Sequence, residues 1–404
     1  MRKNIITGVS LVALSAGMAQ AGGFELQTLD TSIMYADVNQ ASISYASIDV
    51  SVQGENPNST TSSKRDVVKD QTVTNVTAKF DVGDSLSFGL GTYRSGSIQL
   101  SGGNENLGAT YGAVGGNLAP SADLDLNTTA LMARYNLNDN LSFIGGVTQN
   151  AVGGGNVTTL GGTYDVGSTS SVGYFGGIAY SVPEIALRAE LVYQPKAEFT
   201  TCTSSAPTAF GVAGTRLRIT GLVNAGGTAL QNPLVALNGA SDAILQAALT
   251  EENEKTTLAL PETVAFNFQT GIAADTLLTA SYRKASWGGA QINIAAPIAI
   301  ETEFSAYEAY SIGLGRRFTD NLSASLTYSK EEGSSAPATS LFTVSNGSKA
   351  LSLGIQYKRD NMTISGGISQ RNVGDVTVNA AGVGTMKYTG NSVTAMGEKI
   401  AFAF

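Results

Sequence analysis

Three arginines stand where a charge needs a reason. Arg134 in "ALMARYN", Arg188 in "EIALRAEL" and Arg283 in "LLTASYRKASW" each interrupt an apolar-rich alternating segment, in phase with its small or polar face. A guanidinium stays charged and presents a planar fork of donors. At such a position it holds an anion, either the carboxylate of a ligand or a nearby acid such as Glu190 beside Arg188. Arg283 stands four residues before Trp287 on the same face, so a charge and a broad apolar surface share one neighbourhood.

Covalent chemistry finds no such footing. The chain has no histidine, which removes His-based triads, His metal ligands and His general bases. Cys202 is the single cysteine, so no intramolecular disulfide forms, and no His activates its thiol. "GAVGGN" and "VGGGNVTTLGG" are glycine-rich but lack the lysine and the strand–helix setting of a phosphate cradle. The sequence therefore reads as no enzyme, with neither a cofactor nor a metal centre.

The elements that position these arginines are strands. In "RFTDNLSASLTYS", Leu322, Ala324, Leu326 and Tyr328 fall on one face, and Ser323, Ser325, Thr327 and Ser329 on the other. That is the period of two of a β-strand. Six hairpins with short turns follow the same plan, reversing at Gly83-Asp84, Asn138–Asn140, Pro183-Glu184, Ala274-Asp275, Thr319–Asn321 and Arg359–Asn361. Their other ends are joined by long polar segments at about 54–70, 100–123, 152–166, 199–261, 289–303, 332–346 and 373–387. One strand before the first hairpin and one after the last give fourteen.

An even number of long strands, with short turns alternating with long loops, predicts an all-β, 14-stranded antiparallel transmembrane β-barrel. Charge sorting agrees. Lys79, Arg134, Arg188, Glu190, Arg283 and Arg371 share the inward phase, whereas the outward phase is almost free of charge in mid-strand. The chain ends "GEKIAFAF", where Ile400, Phe402 and Phe404 form an apolar stripe that closes such a barrel.

The N-terminus reads as an address. Arg2 and Lys3 precede an apolar run from Ile5 to Met18, and Ala19-Gln20-Ala21 supplies a cleavage site, so 1–21 is expected to be a signal peptide. With this export signal the barrel belongs in the Gram-negative cell outer membrane, among its lipids and lipopolysaccharide. Arg94, near the outer end of its strand, is a candidate for lipopolysaccharide phosphates. The net charge of −8 argues against nucleic acid as a partner, and a monomer is expected.

Several segments, in order, resemble the FadL-type family of outer-membrane transporters for long-chain fatty acids and aromatic hydrocarbons. "GGFELQ" (Gly22 to Gln27) looks like the family's hatch, "NVTAKFDVGDSLSFGLGTYRSG" its second and third strands, "LPETVAFNFQTGIAADTLLTASYRKASWGG" its Leu-Pro to Trp block, and "YTGNSVTAMGEKIAFAF" its last strand. The resemblance implies a small N-terminal hatch over 22–41, carrying Phe24 and Leu26, as a plug in the lumen of a barrel spanning 42–404. It also implies passive uptake of a hydrophobic small molecule. The family's Asn-Pro-Ala hatch motif is replaced here by "VNQASISYA" (Val38 to Ala46).

The loop at 199–261 places Leu230, Leu234 and Leu237 outside the membrane, followed by a short helix capped by Ser241-Asp242 and carrying Ile244 and Leu245. These apolar residues either pack as a lid or form a ligand groove, and the resemblance implies a first hydrophobic site there. A long-chain fatty acid entering by this loop would meet Arg134, Arg188 or Arg283 as partner for its carboxylate. The alternatives are a structural or adhesive barrel and a general diffusion porin.

Overall fold

The computed structural model describes residues 24–404 apart from 56–64, 102–109, 112–113, 116–120, 159–161, 208–211, 214–215, 217–218, 221–222, 225–232, 295–299, 303, 341 and 381–383. The expected signal peptide lies outside the described residues. Fourteen strands form the wall: β1 (Gln40–Glu55), β2 (Gln71–Val82), β3 (Leu86–Ser101), β4 (Ser121–Asn136), β5 (Leu141–Thr158), β6 (Thr169–Val182), β7 (Leu187–Gln194), β8 (Glu262–Ala273), β9 (Thr276–Ser286), β10 (Tyr307–Arg317), β11 (Leu322–Glu331), β12 (Ser348–Arg359), β13 (Met362–Val373) and β14 (Gly384–Ala403). Each pairs antiparallel with its sequence neighbour. β14 returns to β1, from Gln40 opposite Ala403 to Glu55 opposite Lys387. The ring is closed.

The six short turns fall where the turn chemistry places them. Asp275 and Asp360 take left-handed backbone, with φ of 59° and 54°, and Gly83 has φ of 68°. Aspartate tolerates that region better than most side-bearing residues, and glycine occupies it freely. Arg317 closes one turn by pairing with Asp275.

Burial follows the alternation. In β11, Ser323 and Ser325 are buried while Leu326 and Tyr328 are exposed. In β12, Leu351, Leu353 and Ile355 are each about half exposed (51–55%), and Ala350 is buried. A soluble fold would reverse that assignment, so the apolar outer face is a lipid belt. Its short-turn rim carries exposed Phe80, Tyr135, Phe143, Tyr180, Phe318, Tyr357 and Phe402. Tyr174, Tyr193, Tyr310 and Tyr328 sit further toward the long loops, as expected of rings anchored at two interfaces.

Beyond the long-loop end the sheet continues as a collar. β5 makes a hairpin with Gly162–Val166, which pairs with Ala197–Pro207, and that strand pairs with Glu251–Leu260. The segment "EENEK" starts the last of these strands, where Ser205 and Cys202 offer Glu251 and Lys255 backbone partners. The helix covers Asp242–Leu249, with the Ser241 hydroxyl accepting from the Ile244 amide at 3.4 Å.

The belt gives a direct test. Leu353→Arg places a cation in lipid and is expected to destabilise the barrel by about 2–4 kcal/mol, whereas Ser352→Arg, facing the lumen, is close to neutral. Equilibrium denaturation from lipid vesicles measures both.

Candidate functional site

The site is built around the segment from Phe24 to Asn39. It contributes Ile33 and Met34 to a cluster with Ala130 and Met132 of β4, Ile144 of β5, Phe175 of β6 and Val192 of β7. The same segment reaches Arg283 of β9 and Tyr307 of β10. A stretch that touches the inner face of so many strands runs through the lumen. Where it approaches the wall, β3 carries glycine: a Cβ at Gly96 would lie 2.5 Å from the Phe24 ring, and one at Gly89 only 2.3 Å from the Met34 sulfur.

Its upper end is held by charge. Glu25 is buried and takes Arg283 through both oxygens, Nη2 donating to Oε1 at 2.6 Å and Nη1 to Oε2 at 3.0 Å. The Tyr307 hydroxyl donates to Glu25 Oε2 at 2.7 Å. A bidentate, desolvated pair of this kind is rigid as well as charged. Next to it the Phe24 ring packs on Trp287, centroids 5.0 Å apart, and both rings meet Phe304. Trp287 is fully buried in a one-turn 3-10 helix that follows β9, so it leaves the strand but stays beside the Arg283 pair through Phe24-Glu25.

Phe24 is also one wall of a small apolar cavity, lined by Ile98, Leu124, Asp125, Leu126, Val152, Phe199, Leu258 and Ile292. Phe199 and Leu258 come from the collar strands. The cavity thus joins the collar to the plug, with the one polar lining residue, Asp125, paired to Arg94 at 3.5 Å. Arg94 is thereby engaged with a residue of the cavity wall.

The lower end of the segment is held by an aromatic ring close to two cations. Tyr35 lies 4.1 Å from the Arg188 guanidinium and 4.9 Å from that of Arg134. Its hydroxyl donates to Glu190 at 2.8 Å, and Glu190 also accepts from Thr31 at 2.9 Å and from Asn267 at 3.0 Å. Burial, and then the Glu190 charge, pushes the Tyr35 hydroxyl pKa well up, so the ring stays a neutral donor. Lys79, almost fully buried, donates to the Ala36 carbonyl and to Asp81, each at 2.7 Å.

The wall itself parts beside this segment. β2 and β3 pair from Val82 opposite Leu86 up to Val76 opposite Thr92, and pairing resumes only where the Lys69 amide donates to the Gln99 carbonyl and the Ser101 amide to that of Val67. Between these points β3 carries a bulge, with Arg94 and Gly96 opposite the consecutive residues Asn127 and Leu126. A bulge bends a strand and turns its edge. That edge is taken by the plug: the Leu26 amide donates to Ser95 at 3.1 Å and the Ser97 amide to Phe24 at 2.9 Å.

No known family's sequence profile matches this chain, and no curated protein sequence matches it. Solved structures do. A Pseudomonas aeruginosa FadL homologue superposes with a TM-score of 0.68 at 13% identity, over 96% of this chain and 98% of that one. The Ralstonia pickettii toluene transporter TbuX gives 0.61 at 12% identity, over 96% and 98%. The Pseudomonas putida toluene transporter TodX gives 0.61 at 12%, over 92% of each chain. The fold is FadL-type.

In this FadL-type barrel the residues singled out from sequence separate into three places. Arg283, Trp287, Phe24 and the buried Leu26 share the upper plug; Arg134 and Arg188 share the lower. Of the loop residues, Leu245 is fully buried with Val212 and Ile219, Leu237 packs against them, and Ile244 is exposed. Leu234 belongs to the 3-10 turn Pro233–Leu237, its side chain outside the described residues, as is Leu230 altogether. Neither Leu237 nor Leu245 lines the cavity. Its collar residues are Phe199 and Leu258, which the alternation of "AEFTT" and "TTLAL" already marks as inward. Of the region "VNQASISYA", Gln40 onward forms the start of β1. Glu25, an isolated acid in the apolar run "GFEL", was the overlooked signal for the partner of Arg283.

Glu25→Ala strands Arg283 without its buried partner and is expected to weaken the upper anchor by about 3–5 kcal/mol. Hydrogen exchange over 24–35 in the folded barrel should then speed up, while the exchange of β11–β13 stays unchanged.

Proposed function

We propose that this protein is an outer-membrane channel through which hydrophobic small molecules enter by passive diffusion, with long-chain fatty acids as cargo. The observation that carries this reading is the apolar cavity closed by Phe24, one residue from a carboxylate already seated on Arg283. An apolar tail suits the cavity, and a free carboxylate suits the guanidinium that now holds Glu25. A fatty acid is the molecule that has both.

The route follows the chain's own geometry. Ligand gathers at the collar and slides between Phe199, Leu258 and Ile292. Its carboxylate then replaces that of Glu25 on Arg283, one anion for another, so the buried guanidinium is never left without an anion. Releasing Glu25 loosens Phe24 to Leu26 from the edge of β3, and the ligand leaves through the opening between β2 and β3. A plug anchored at both ends disfavours a general diffusion pore. Arg134 and Arg188 serve as fasteners of Tyr35 in this reading and do not meet the ligand.

A second cargo, neutral aromatic hydrocarbon, is favoured by the likeness to two toluene transporters. The two are separated by the Arg283 seat. Binding of a fluorescent oleate to the folded protein should tighten in Glu25→Ala and weaken about tenfold in Arg283→Ala, as loss of a charge-assisted contact implies. Toluene binding should ignore both substitutions. Oleate affinity equal in all three proteins would reject the carboxylate seat.

A further inference from the structure

Gln71 is the most unusual buried polar side chain in the wall. It opens β2 on the lumen face, opposite Ile48 of β1, and is 5% exposed. Among the described residues, neither its amide nitrogen nor its amide oxygen has a hydrogen-bond partner. Asn75 lies four residues on, on the same face, and its Oδ1 is likewise buried without a partner. Val73 between them is buried and apolar. Burying an amide with both ends unmatched is strongly disfavoured, and native proteins rarely tolerate it without a further partner. Swapping the amide's nitrogen and oxygen leaves the same pair unmet.

The place is as telling as the chemistry. Residues 71–75 are the stretch of β2 that has no β3 partner, below the Lys69–Gln99 contact and above the Val76–Thr92 pair. The two orphan amides therefore stand on the stretch of β2 that borders the wall opening. What they lack is a group that both donates and accepts: Gln71 offers a donor and an acceptor side by side, and Asn75 adds another acceptor. A carboxylate only accepts and would leave both oxygens unmet. A hydrocarbon meets nothing. An un-ionised carboxyl group carries an O–H donor beside a carbonyl acceptor, and closes a two-bond ring with an amide edge.

Resting on the reading that the cargo is a long-chain acid, we propose that Gln71, assisted by Asn75, forms a second head-group subsite in the wall opening that binds this acid in its un-ionised form. The carboxylate released from Arg283 takes one proton from water, leaving the hydroxide to the aqueous phase, and passes to Gln71 as the neutral acid. That is the form able to enter hydrocarbon, where an ionised carboxylate is far too costly. The subsite thus makes the exit selective for acids over hydrocarbons.

The test uses carboxyl-¹³C oleic acid with the folded, full-length protein in lipid nanodiscs. NMR separates the ionised from the un-ionised carboxyl carbon. Wild type should hold two bound forms, one ionised and one that stays un-ionised at a pH where oleic acid in empty nanodiscs has ionised. Gln71→Met, similar in length and apolar, should keep the first and lose the second. In cells lacking other such channels, it should also cut labelled oleate uptake about tenfold, the loss of one good hydrogen-bonded pair, without changing toluene uptake. Absence of the un-ionised form from wild type, its persistence in Gln71→Met, or equal loss of oleate and toluene uptake would overturn the proposal. Wild type that binds no oleate at all would overturn the fatty-acid reading with it. If Gln71→Met does not assemble, the wild-type spectrum and Asn75→Leu, expected to weaken the un-ionised form, carry the decision.

Discussion

An amide group in hydrocarbon has no water to bond with, so a strand edge facing lipid must find its partner within the same molecule. Almost everything in this barrel answers to that requirement. β14 meets β1 along nearly its whole length because a ring is the arrangement that leaves no edge. Between β2 and β3, where the neighbouring strands separate, the N-terminal segment lends its backbone to Ser95 and Ser97. The plug is therefore part of the wall's hydrogen bonding as well as an obstruction in the lumen. A ligand that moves it must expose an edge, and the edge it exposes borders the opening.

The buried charges follow a related rule. A guanidinium within a barrel is tolerated when an anion or a ring satisfies it. Arg283 has Glu25 and Tyr307, while Arg134 and Arg188 enclose Tyr35 beside Glu190. The two anchors differ in what can exchange. Glu25 is a carboxylate, so in the proposed uptake route a diffusing carboxylate presents the same chemistry and takes its seat. Tyr35 is held by two guanidinium groups and through its hydroxyl at once, and no small acid reproduces that combination. The upper anchor can open while the lower one keeps the segment tethered.

Low identity with matching folds is intelligible on the same grounds. A lipid-facing position asks for any apolar side chain, and a lumen position for any small or polar one. The pattern therefore persists while individual residues drift. At 13% identity the superposition still covers 96% of the chain. What drifts least freely are positions with a steric demand, such as Gly96 under Phe24 and Gly89 under the Met34 sulfur.

Strand number, turn positions and the sorting of faces were legible in the sequence, because a period of two and a turn residue are local facts. "RFTDNLSASLTYS" carries its own answer: the leucine face is too apolar for water and the serine face too small for a soluble core. The inward phase of Arg134, Arg188 and Arg283 was legible for the same reason. Their partners were not. Glu25 and Arg283 are 258 residues apart, and Tyr35 and Glu190 are 155 apart, so only closure of the ring brings them together. Gln71 reads as an ordinary strand glutamine until the bulge at Ser95 takes its neighbour away. Periodicity determines which way a side chain points; what it meets there is decided by the curvature of the whole sheet.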